Sequence, residues 1–95
     1  MAYDSPMQYA DDTFDMKWRA ALEQIYKSDL HGGVEAGNLI DKPSTRELVR
    51  RGYVFNEGGP PSSLDRCHIT DKGIVKVLDL WIEELEAKNG SRRAG

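Results

Sequence analysis

One cysteine, Cys67, is present in 95 residues. That excludes an intramolecular disulfide scaffold and fits a reducing, cytoplasmic setting. Two histidines beside a single cysteine are too few for a structural zinc site, so neither metal nor cofactor is expected. No run of about 18 apolar residues occurs, so no transmembrane helix and no membrane partner are expected. Residues 1–12 carry three acids, no base and no apolar stretch, which does not read as a secretory signal. No catalytic constellation is found. Cys67 and His68 are adjacent, but successive side chains of a strand point to opposite faces and cannot form a nucleophile–base pair. Gly32-Gly33 and Gly58-Gly59 lack the strand–helix context and the lysine of a phosphate loop. Asp11, Asp12 and Asp15 lack the spacing of a calcium loop. The chain is expected not to be an enzyme.

What is present suits one small domain. Hydrophobic residues are 39% and charged residues 31%, enough for a modest core. The net charge of −3 is unevenly spread. Residues 1–41 hold three bases and eight acids, residues 42–76 seven and four, and residues 77–95 three and four. A basic middle between acidic ends hints at an anionic partner for the middle. Overall acidity argues against strong non-specific binding to phosphate backbones.

The pattern divides the chain into an acidic, disordered lead over residues 1–12, a folded domain over 13–88 and a flexible tail over 89–95. A helix is predicted from Thr13, as its cap, to Lys27. Phe14, Trp18, Ala21, Leu22 and Ile25 give it one apolar face, which Leu30 would extend. His31-Gly32-Gly33 breaks it. Residues 34–41 read as a short helix or a single turn. A second helix spans about 43–51, with Ser44 and Glu47 as a capping box, a Glu47–Arg51 pair and Gly52 as a left-handed C-terminal cap. Its outer side carries Arg46 and Arg50. Residues 53–56 and 65–69 read as antiparallel strands joined by a flexible Gly/Pro/Ser loop. Cys67 and Ile69 should face the core, Arg66 and His68 the other side. The last helix is capped by Thr70 and carries a wide stripe of Ile74, Val77, Leu78, Trp81, Ile82 and Leu85, stopping at Asn89-Gly90. Trp18 and Trp81 both read as core.

The segments Glu47-Leu48-Val49-Arg50-Arg51-Gly52-Tyr53-Val54 and Arg66-Cys67-His68-Ile69-Thr70-Asp71-Lys72-Gly73 carry a resemblance. They look like the Leu-x-x-x-Gly-Tyr-Val … Arg-x-x-Leu-Thr-x-x-Gly pattern of small bacterial and phage winged-helix regulators, such as the multiple-antibiotic-resistance and phenolic-acid regulator types. The resemblance spans about residues 13–88, with motif-grade similarity over 44–78. It implies an α+β winged helix-turn-helix domain of three to four helices with a two-stranded wing at about 56–65. It implies transcriptional regulation through double-stranded DNA, and frequent dimerisation through terminal helices. The recognition helix would be 43–51. Lys42, Thr45, Arg46 and Arg50 would meet DNA, with Arg46 or Arg50 bonding a guanine edge. Arg66 and the Ser62-Ser63 loop would contact phosphate.

The same fold can instead serve as a non-enzymatic protein-binding module, for instance a phage-encoded adaptor or inhibitor of a host protein. The net acidity and a loop tip, Glu57-Gly58-Gly59-Pro60-Pro61, without Lys or Arg point that way. A last-helix stripe wider than a monomer can bury raises a third possibility, pairing with a second copy.

Overall fold

A computed structural model describes the backbone of residues 14–94 and the side chains of residues 14–88. The acidic lead and the capping role of Thr13 lie outside the described residues. Helix α1 (Arg19–Ser28) turns Ala21, Leu22 and Ile25 inward, as the spacing predicts. A 3-10 turn, Met16–Trp18, precedes it, and the Asp15 carboxylate accepts from the Lys17 amide at 3.0 Å. After α1 the winding tightens to another 3-10 turn, Asp29–His31. The tighter winding rotates Leu30 off the apolar stripe, leaving it 81% exposed rather than extending the face.

Residues 34–41 depart from the expected helix or turn. Val34–Glu35 form a strand, β1, which pairs antiparallel with β3 (Arg66–Ile69) in the register Val34↔Cys67 and Glu35↔Arg66. Two glycines make the reversal possible. Gly32 and Gly33 have φ of 94° and 96°, in the left-handed region. At Gly33 a Cβ would come within 2.7 Å of the His68 ring and 2.8 Å of the Cys67 carbonyl oxygen. Strand β2 (Val54–Asn56) flanks β3 on the other side, so the order is β1-β3-β2, all antiparallel. A three-stranded sheet therefore replaces the expected two-stranded one. Cys67 faces the core and Arg66 and His68 do not, as alternation predicts.

Helix α2 (Lys42–Arg50) begins one turn earlier than the Ser44 capping box requires. Asp41 is the N-cap. Its carboxylate accepts from the Ser44 amide at 3.1 Å and from the Ser44 hydroxyl at 2.6 Å. Lys42 and Pro43 fit the first turn, where no N–H needs an intrahelical partner, so nothing forces the start to wait for Ser44. The far end is a Schellman motif. The Tyr53 amide donates to the Leu48 carbonyl at 2.9 Å and the Gly52 amide to that of Val49 at 3.1 Å, with Gly52 at φ 84°.

Helix α3 (Asp71–Ala94) is capped by Thr70, whose hydroxyl accepts from the Gly73 amide at 3.1 Å and donates to the Gly52 carbonyl at 2.6 Å. It runs past Asn89-Gly90 to Ala94. Its apolar residues divide between two faces. Val77 and Leu80 are buried against the body, with Trp81 partly so. Val75, Leu78, Ile82 and Leu85 are 58%, 41%, 50% and 59% exposed. Leu80, absent from the expected stripe, takes the inward place because α1 and β3 cover only one side of the helix.

Trp18, Leu22, Ile25, Leu48, Tyr53 and Cys67 form the middle of the core. The architecture among the described residues is a small α+β domain, three α-helices on a three-stranded antiparallel sheet. No described helix is long and apolar enough to cross a membrane.

Candidate functional site

Helix α2 buries Ser44, Thr45 and Leu48 and turns its opposite side outward. On that side Lys42, Arg46 and Arg50 follow one another at four-residue spacing, which puts three cations in one row along the helix. Lys42 and Arg50 are exposed and Arg46 is half-buried. Arg50 pairs with Glu47 Oε2 while its side chain stays 57% exposed. The other Glu47 oxygen lies 3.7 Å from Arg51 Nε, as the expected i,i+4 pair requires. The Arg51 guanidinium lies over the Trp18 ring, 4.9 Å from its centroid, so Arg51 belongs to the body and not to the row. Among the described residues no ion pair involves Lys42 or Arg46.

The remaining residues expected at this site are placed differently. Thr45 is fully buried, and its hydroxyl donates to the Asp41 carbonyl at 2.8 Å, so it presents nothing to an outside partner. Its outward place was implied only by the resemblance; three positions before Leu48, Thr45 shares the buried face of the helix. Arg66 is committed across the sheet, donating to Glu35 at 2.7 Å and to the Gly32 carbonyl at 3.3 Å. That partner exists only because β1 does. Ser62 and Ser63 are exposed on the β2–β3 loop.

The loop itself is built around a buried side chain that sequence reasoning passed over. Asn56 is 2% exposed. Its amide nitrogen donates to the Pro60 carbonyl at 2.9 Å and the Ser63 carbonyl at 3.2 Å. Its oxygen accepts from the Asp65 amide at 2.9 Å and the Gly58 amide at 3.4 Å. An Asn closing a strand before a Gly/Pro-rich stretch was the available signal.

Charged groups elsewhere are mostly in use. Ser44, through its hydroxyl and its amide, holds Asp41 below the usual carboxylate range. Burial pushes Glu23 up, but hydrogen bonds from Arg19 and Trp81 outweigh it and leave the group below its ordinary value. Arg19 Nε meets Glu23 at 2.8 Å within α1, and Trp81 Nε1 donates to Glu23 at 2.8 Å, which joins α1 to α3. Burial, and then Asp65, push the Cys67 thiol up, and the side chain packs fully buried in the core. Asp29, then Glu57, raise His68 above the ordinary imidazole value.

Comparison with known proteins finds no matching family model, no matching curated protein and no matching solved structure.

Proposed function

We propose that the chain is a DNA-binding transcriptional regulator of winged-helix type, with α2 as the recognition helix and the β2–β3 loop as the wing. The observation that carries this is the row Lys42, Arg46, Arg50 on the outer side of a helix braced at both ends. A helix fits the major groove, and an arginine can bond O6 and N7 of one guanine together. Asp41 and the Schellman turn fix both ends, so binding would not have to order the helix. Lys42, Arg46 and Arg50 are the proposed contacts, with Ser62 and Ser63 toward phosphate.

The test is fluorescence anisotropy with a labelled random-sequence duplex. Affinity should fall linearly in log–log form with salt. Arg46→Ala should weaken binding about tenfold and flatten the salt slope by about one ion. No binding at low salt and micromolar protein would sink the reading. A protein-binding module remains the second reading, favoured by Phe55 and Ile40, exposed at 56% and 61%, and by the loop tip without bases.

Pairing with a second copy belongs to the same proposal. Val75, Leu78, Ile82 and Leu85 follow a 3-4-3 spacing on the exposed side of α3, and Asn89 continues it in sequence. Val and Ile at one seam position with Leu at the other is the pattern of two-stranded coiled coils.

A further inference from the structure

His68 stands on the outer face of β3 with carboxylates on both of its ring nitrogens. Nδ1 lies 2.8 Å from Asp29 Oδ1, and Nε2 meets Glu57 Oε2. The other Asp29 oxygen accepts from the Ile69 amide at 3.2 Å. The Phe55 ring leans on the imidazole with centroids 6.3 Å apart, and a Cβ at Gly33 would come within 2.7 Å of the ring. Three pieces remote in sequence thus meet at one ring: the turn after α1, the strand β3 and the first residue of the β2–β3 loop.

A neutral imidazole has one N–H, so it can donate to only one of the two carboxylates and must turn a lone pair toward the other. Only the imidazolium satisfies both. From this geometry we infer that Asp29, His68 and Glu57 form a proton-operated clasp that ties the base of the β2–β3 loop to the end of α1 and opens when His68 loses its proton. Glu57 is the arm released. Asp29 keeps the Ile69 amide and is 27% exposed in its side chain, whereas Glu57 is 47% exposed. Among the described residues the Glu57 carboxylate has no hydrogen-bond partner besides His68. Among the described residues the charged groups acting on the ring are those two. Phe55 from β2 and Gly33 ahead of β1 are uncharged, and Arg66, on the same face of β3, is held by Glu35.

The response is local, because Asn56 still anchors the inner side of the loop after Glu57 lets go. The clasp does not depend on what α2 binds. The two carboxylates supply the field that keeps the proton on the ring.

The test is an NMR titration of the full chain. It follows the His68 ring carbons together with amide exchange at Glu57, whose N–H donates to the Arg66 carbonyl at 2.9 Å. His68 should titrate above 6.5, its ordinary value. Glu57 and Gly58 should lose protection severalfold, after correction for intrinsic exchange, over the same pH range. Glu57→Gln should lower the His68 midpoint and remove the pH dependence of loop protection while core amides stay protected. His68→Gln should do the same for the loop. If that variant fails to fold, Glu57→Gln decides alone. A His68 midpoint at or below 6.5, or loop protection that ignores the titration, overturns the clasp.

Discussion

The Asn56 side chain turns inward at the end of β2 and meets four backbone groups of the loop that follows. An alanine there keeps the strand and removes both the donor and the acceptor. The carbonyls of Pro60 and Ser63 and the amides of Gly58 and Asp65 would then need water. Asn56→Ala should lower the unfolding free energy by about 2–4 kcal/mol in urea denaturation. It should also raise amide exchange across Gly58–Asp65 more than in α1. Equal loss of protection everywhere would show that the side chain serves the whole fold and not the loop. This residue was legible in principle, since Asn favours turns, but its four partners were not. They depend on how the loop closes, which no local propensity specifies.

At the scale of elements, α2 was nearly complete in the sequence, from its basic outer side to Gly52 at its end. Only its first turn was misassigned, and the error follows from choosing between two adequate caps, Asp41 and Ser44, three residues apart. Thr45 lies inside because it is three positions before Leu48, on the face that α1 and β2 cover. Helix α3 is equally legible as a helix, yet the apolar stripe that its spacing predicts as one face divides into two. The exposed seam predicts association. Sedimentation equilibrium should show a mass that doubles with concentration. Ile82→Glu should hold the chain monomeric and leave the melting temperature unchanged at dilutions where the parent is also monomeric, because Ile82 is already half exposed in the monomer. A parent chain that stays monomeric at about millimolar concentration would remove the seam from consideration, far above the micromolar range of ordinary weak dimers. Strand β1 was the least legible element. Two residues carry no period, and their partner is more than thirty positions away.

For the whole molecule, pH acts on stability from both sides. His68 has its folded value raised by Asp29 and then Glu57. Its contribution is therefore fully present below 6.5, its ordinary value, and is lost as pH rises through the raised one. Asp41 and Glu23 have folded values below the ordinary 3.8 and 4.5. Their contributions are present above those ordinary values and are lost as pH falls through the lowered ones. Urea midpoints measured across pH should therefore peak between the two windows. The decline on the alkaline side should vanish in His68→Gln, and the decline on the acid side should persist. A midpoint that keeps rising past neutrality would contradict the assignment of His68.

Sequence alone determined the three helices, the cap at Thr70, the left-handed turn at Gly52 and the inward side of α1. These rest on interactions within one turn of the chain, where spacing, φ preference and a side-chain cap are all decided by near neighbours. Tertiary structure alone decided which face of α3 is covered, that Arg66 belongs to Glu35, and that His68 sits between Asp29 and Glu57. Each of those needs segments more than ten positions apart to arrive together, and burial goes to whichever face the other elements happen to reach.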